Sequence, residues 1–170
     1  YELKEKIKNI KFDLIFDNCA YQLSDVQNLL KIINSKNIIY IFSSTVMSYL
    51  NLYINKTLNE SDWHKAQSTK KMKMMYMDHE LNYAKNKRKI EKYLIKKKNI
   101  KYIILRIHNV VGKNDFSKKT LKLFMSNIQQ VKNYNINEDD YFQFTYDQDL
   151  VKIIYKFISK EQKNSNVFNV

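Results

Sequence analysis

A chain of 170 residues is long enough to bury one sizeable core, and 44% hydrophobic with 14% aromatic residues excludes a disordered polymer. The formal net charge of +13 comes almost wholly from lysine, with Arg88 and Arg106 the only arginines. One glycine and no proline, where average usage is roughly 7% and 5%, exclude a glycine-rich phosphate turn and any Pro/Gly linker within these residues. Cys19 is the only cysteine, so no intrachain disulfide forms, which suits a reducing compartment. No apolar run approaches the length of a membrane span and no signal peptide opens the chain, so a cytoplasmic, soluble protein is expected.

Residues 1–9 are short, charged and helix-compatible. Lys11-Phe-Asp-Leu-Ile-Phe-Asp17 is a compact apolar run that reads as a buried strand. Cys19 follows it, and packing suits it better than thiol chemistry. Ser24 and Asp25 offer helix N-caps ahead of Val26, Leu29, Leu30, Ile32 and Ile33 at helical spacing. Asn37 to Phe42 is a second buried strand, ending in Ser43, Ser44 and Thr45.

Residues 46–77 lack periodicity and read as a long insertion or lid, with Trp63 as a buried anchor and a cluster of methionines at 72, 74, 75 and 77. Helical spacing returns over 78–98, a third strand spans 101–107, and Ser117 caps a helix running to about Val131. Residues 142–146 read as a short strand, 147–159 as an amphipathic helix capped by Asp147 and Asp149, and 167–170 as a terminal strand. Strands alternating with helices predict an α/β fold with a parallel sheet covered on both faces. One domain over 1–170 is the simplest organisation, with 113–146 as a substrate-side segment.

Tyr83, Lys87 and Glu91 recur at steps of four, about one turn of helix each, so phenol, ammonium and carboxylate share a face. A nearby cation favours a phenolate, so Lys87 is expected to lower the phenol pKa and ready Tyr83 for proton transfer. The spacing is common in a chain so rich in both residues, and Tyr93 with Lys97 repeats it. Glu91 is expected to pair with surface lysines. His64, His79 and His108 have no metal-ligand spacing with one another or with Cys19, so no metal is expected.

Five segments in order carry a family resemblance: Phe12-Asp-Leu-Ile-Phe-Asp-Asn-Cys-Ala20, Ile41-Phe-Ser-Ser-Thr45, the Tyr83/Lys87/Glu91 helix, Leu105-Arg-Ile-His-Asn-Val-Val-Gly112 and Phe144-Thr-Tyr-Asp-Gln-Asp-Leu150. Together they resemble an extended short-chain dehydrogenase/reductase of the NAD-dependent epimerase/dehydratase family. The resemblance implies a Rossmann-like doubly wound sheet, incomplete at its N-terminus, whose Gly-rich turn and first three strands precede Tyr1. It implies NAD or NADP as cofactor. Tyr83 would then be the general acid/base, with Lys87 holding the nicotinamide ribose and Ser44 or Thr45 orienting a substrate oxygen. Asn18, Cys19 and Ala20 would line the cofactor, Ile107 and His108 would approach the nicotinamide, and Asn109 would face substrate.

Departures accompany the likeness. Ile107 replaces the usual Pro, and the VYG after the hydroxyl strand is altered, its Tyr falling on Ser48 counting from Ser44 or on Tyr49 counting from Thr45. Phe142 stands where many nucleotide-sugar enzymes place a phosphate-binding Arg. The resemblance points to an epimerase, dehydratase or reductase acting on a sugar-nucleotide-like or small hydroxyl/carbonyl substrate, and allows a homodimer through the Tyr/Lys helix. The alternative is a non-catalytic or RNA-binding relative, motivated by the charge; the lysines look scattered along the chain, which favours a solvated surface over a nucleic-acid groove.

Overall fold

The computed structural model describes residues 2–33, 38–50, 57–65, 77–113, 143–159 and 165–170. They fall into two compact units, Tyr1–Arg106 with Gln162–Asn169, and Ile107–Glu161 with Val170.

The first unit opens with α1 (Glu2–Ile7), β1 (Leu14–Asp17), α2 (Leu23–Ile32) and β2 (Ile39–Thr45). Two 3₁₀ turns, Val46–Tyr49 and Glu60–Lys65, precede α3 (Asp78–Lys96), β3 (Lys101–Ile107, its last residue belonging to the second unit) and, at the chain's end, β6 (Asn166–Asn169). The strands form one parallel sheet in the order β1-β2-β3-β6. Leu14 faces Ile39 through Asp17 facing Phe42, and Ile103 faces Asn166 through Arg106 facing Asn169. A Rossmann-like α/β sheet is therefore what the alternating pattern builds.

Its core joins Val26 of α2, Tyr40 and Phe42 of β2, Ile90 and Leu94 of α3 and Ile104 of β3. Alternate apolar residues of β2 and the i, i+4 pair of α3 meet because the helix lies against the sheet. A smaller cluster joins Leu50, Leu81 and Ala84.

Three expectations need correction here. β1 is shorter than the apolar run that contains it, and Phe16 is 39% exposed, because among the described residues β1 sits at the edge of the sheet order with β2 as its neighbour. α2 starts at Leu23, so Ser24 lies inside the helix. The cap comes from Asp25 reaching back, its Oδ2 accepting from the backbone N–H of Tyr21 at 2.9 Å and of Gln22 at 2.7 Å. Cys19 is exposed rather than packed, since the chain has already left the sheet at Asp17.

The second unit contains β4 (Asn109–Val111), β5 (Phe144–Tyr146) and α4 (Asp147–Ser159). β4 and β5 pair in parallel, Asn109 facing Phe144 and Val111 facing Tyr146. The carbonyl of Val170 accepts from His108 N at 3.1 Å and from the Thr145 hydroxyl at 2.9 Å. Asp147 Oδ1 accepts from Gln148 N at 2.7 Å, and Asp147 and Asp149 lie in the first turn of α4, where a carboxylate meets the helix dipole favourably. The helix expected from Ser117, Phe142, and the methionines at 72, 74 and 75 lie outside the described residues.

Candidate active site

β2 is apolar while it crosses the core and turns polar where it emerges. Tyr40, Ile41 and Phe42 are fully buried; Ser43, Ser44 and Thr45 follow, each still less than a tenth exposed. Their hydroxyls have three different fates. Ser43 Oγ has no hydrogen-bond partner among the described residues. Ser44 Oγ donates to Glu91 Oε1. Thr45 Oγ1 accepts from Met47 N at 3.2 Å, capping the 3₁₀ turn.

α3 brings Tyr83 and Lys87 to that edge. Lys87 Nζ lies 5.7 Å from the Tyr83 ring centroid and 4.7 Å from that of Phe42, and donates to the Ser43 carbonyl at 2.8 Å. Tyr21 flanks the phenol on the other side, its ring centroid 5.4 Å away and tilted by 36°. The electrostatics differ from the expected picture. Burial pushes the Tyr83 phenol up from its ordinary value, the Thr45 hydrogen bond pulls it down, and Tyr21 adds to the rise. Burial also pushes the Lys87 ammonium down, against the pull of Asp17, Cys19 and Glu91. Lys87 thus shares a helix face with the phenol but is anchored to a strand carbonyl, and the hydroxyl is the group that eases ionisation.

β1 ends beside them. Asp17 Oδ1 accepts from Cys19 N at 3.0 Å and Ala20 N at 2.8 Å, while Oδ2 accepts the Tyr40 hydroxyl. The turn Asn18-Cys-Ala20 is therefore held by a carboxylate as well as by Ala20, which is buried in the core, while Asn18 and Cys19 are exposed.

Glu91 departs most from expectation. It is fully buried, and among the described residues its ion pair is with Arg106 rather than a surface lysine. Its Oε2 accepts from Arg106 Nε at 3.0 Å and Nη2 at 2.9 Å, while Oε1 takes the Ser44 hydroxyl. Arg106 Nη1 donates onward to the Tyr49 hydroxyl at 2.8 Å and the Glu60 carbonyl at 3.1 Å. Tyr49 in turn donates to Asn169 Oδ1 at 2.8 Å. The missed signal was Arg106 itself, since an arginine amid Ile103, Ile104, Leu105 and Ile107 needs a buried anion.

Trp63 is buried as expected, its ring 3.9 Å from Arg88 Cζ and 5.0 Å from Arg106 Cζ. Ile107, His108 and Asn109 belong to the second unit, where Asn109 is exposed and burial pushes the half-buried His108 imidazole down.

Phenol, ammonium and hydroxyl at the carboxyl ends of parallel strands suit the nicotinamide-ribose end of NAD or NADP. The pyrophosphate end needs backbone approach at glycine. The one glycine, Gly112, instead lies so close to the Asp147 carboxyl that a Cβ there would collide with it, and its φ is not positive. These residues fit the redox half of the cofactor alone.

Sheet and site together define a doubly wound α/β protein with a hydroxyl–tyrosine–lysine set at its carboxyl edge. The chain matches the model of the NAD dependent epimerase/dehydratase family over residues 20–170, and it belongs to that family. Among solved structures it is similar to the crystal structure of Helicobacter pylori ADP-L-glycero-D-manno-heptose-6-epimerase, with a TM-score of 0.59 and 19% identity, covering 98% of this chain and 55% of that one. The likeness is one of fold, and the chain spans about half the length of that epimerase. No curated protein matches it. Among the described residues no helix is long and apolar enough to cross a membrane.

Proposed function

We propose that these residues form the acid/base half of an NAD- or NADP-dependent enzyme of the epimerase, dehydratase or reductase type. The observation that carries this reading is the Lys87 ammonium 5.7 Å from the Tyr83 ring on one helix face, anchored to the carbonyl of Ser43 at the hydroxyl end of β2. Tyr83 exchanges a proton with a hydroxyl or carbonyl oxygen of the substrate. Thr45 orients that oxygen, because its hydroxyl favours ionisation of the phenol, whereas the Ser44 hydroxyl is committed to Glu91. Lys87 holds the nicotinamide ribose, with Asn18, Cys19 and Ala20 lining the cofactor. The cofactor, when bound, supplies hydride transfer; the protein supplies orientation and proton traffic.

The Helicobacter relative of this fold is named for an ADP-activated heptose, which makes nucleotide-activated sugars the first substrate class to assay and small hydroxyl or carbonyl compounds the second. The test is Tyr83→Phe in the full-length protein, with cofactor and substrate binding followed separately from turnover. Loss of an acid/base group lowers turnover by about 10²–10⁴-fold while cofactor binding persists. Undiminished turnover would remove Tyr83 from the chemistry and the proposal with it.

A further inference from the structure

The face of α3 opposite the site carries a row of charge. Successive helical residues turn by about 100°, so Lys85, Lys89, Lys92 and Lys96 fall within roughly 60° of arc, on the side of the helix away from Tyr83 and Lys87. Lys89, Lys92 and Lys96 are exposed and Lys85 is half-buried. None of the four forms an ion pair among the described residues. No acidic residue of α3 itself counters them: Asp78 and Glu80 lie in the first turn, and Glu91 is buried on Arg106. Exposed Lys98 and Lys101 prolong the charge beyond the helix, and exposed Asn82 precedes it with amide donors.

We propose that this row is a docking track for the phosphodiester backbone of a single nucleic-acid strand. The row is linear and about 16 Å long at 1.5 Å per residue, long enough to lie along several successive phosphates of one strand. Its lysines repeat every three or four residues, matching a polymer of regularly spaced anions, and neutralising such a polymer releases counterions. A membrane surface fits poorly, because interfacial helices insert an apolar edge and none of the exposed large hydrophobic residues lies within α3. A second copy of the chain fits poorly too, since apposed rows set like charge against like charge. The inference stands apart from the enzymatic reading, for the row and the Tyr83/Lys87 pair use different sides of the helix.

The experiment is fluorescence anisotropy of the protein with a short, labelled oligouridylate over a salt series. Four phosphate contacts give a log–log slope near −2.8, about a fifty-fold loss of affinity between 50 and 200 mM salt. Lys89→Gln/Lys92→Gln/Lys96→Gln flattens that slope by about two units and weakens low-salt binding. Lys4→Gln/Lys8→Gln/Lys11→Gln, the same charge loss at exposed residues outside α2 and α3, leaves the slope near wild type. Should the row variant fail to fold, Lys92→Gln alone lowers the slope by about 0.7. Absence of binding at low salt, equal losses in the two triple variants, or tighter binding to phosphatidylserine vesicles or polyglutamate than to the oligonucleotide would each overturn the assignment.

Discussion

Leu50 holds a backbone conformation that its side chain opposes. At φ 54° and ψ −113° it is the only non-glycine residue with positive φ among those described, and it closes the 3₁₀ turn that Thr45 opens. Outside glycine such a conformation costs about 1–3 kcal/mol. What holds Leu50 there is burial: it is 6% exposed and packs with Leu81 and Ala84 of α3. Two substitutions separate these effects. Leu50→Ala loses the packing, worth about 2–5 kcal/mol, and keeps the strain. Leu50→Gly loses the packing and releases the strain. At an ordinary buried position glycine is the worse of the two by up to about 1 kcal/mol; here urea denaturation should find Leu50→Gly at least as stable as Leu50→Ala. The reverse order would show that the turn is unstrained. The altered VYG was visible in the residues, but two alignments remained open; the positive φ one residue after Tyr49 favours the count from Thr45. The partner of Glu91 is hidden from the sequence for a related reason, since i, i+4 spacing shows only helix neighbours and Arg106 comes from a strand.

Among the elements, the Glu91–Arg106 pair clamps α3 to β3, reaches β2 through Ser44, and holds the two 3₁₀ turns through Tyr49 and the Glu60 carbonyl. Removing one member leaves the other charged and buried, so Glu91→Gln or Arg106→Met should each cost about 3–5 kcal/mol. Replacing both, as in Glu91→Leu/Arg106→Met, removes the uncompensated charge and should recover much of that loss. Denaturant midpoints with unchanged slopes would establish it; a double variant as unstable as the sum of the singles would argue against a clamp. Elements with strong periodicity were legible: β2, α3, β3 and α4 stand within a few residues of their expected bounds, and the Tyr83/Lys87 face was plain from its spacing. Less legible was the segment from 46 to 77. Its two 3₁₀ turns are held by long-range partners, Tyr49 on Asn169 and Arg88 on the carbonyls of Ser48 and Trp63, and no local pattern announces such contacts.

At the scale of the molecule, buried phenols decide how the fold answers alkali. Tyr40, Tyr49 and Tyr83 are all pushed up, burial being the largest cause in each, and for Tyr40 the Asp17 hydrogen bond and charge add to it. Unfolded phenols titrate near 10. Below that value both states hold the proton and the full contribution is present. Above it only the unfolded chain ionises, so stability falls by about 1.4 kcal/mol per pH unit for each phenol still protonated in the fold. Lys87 runs the other way: its ammonium is pushed down by burial, so the unfolded chain binds more protons just below 10.5 and stability rises with pH there. Relief of charge repulsion as surface lysines neutralise acts in the same direction. The net curve therefore blends opposing slopes, and a difference between two proteins isolates one of them. Tyr40 is fully buried and bound to Asp17, so Tyr40→Phe removes a single phenol while the lysine background cancels. At neutral pH the variant should be less stable, because the Asp17 oxygen loses its donor. From pH 10 upward that deficit should shrink by about 1.4 kcal/mol per unit, since only the wild type still loses stability through Tyr40. Urea titrations at several alkaline pH values read this directly, and a deficit constant across them would mean that Tyr40 ionises as readily in the fold as in the unfolded chain.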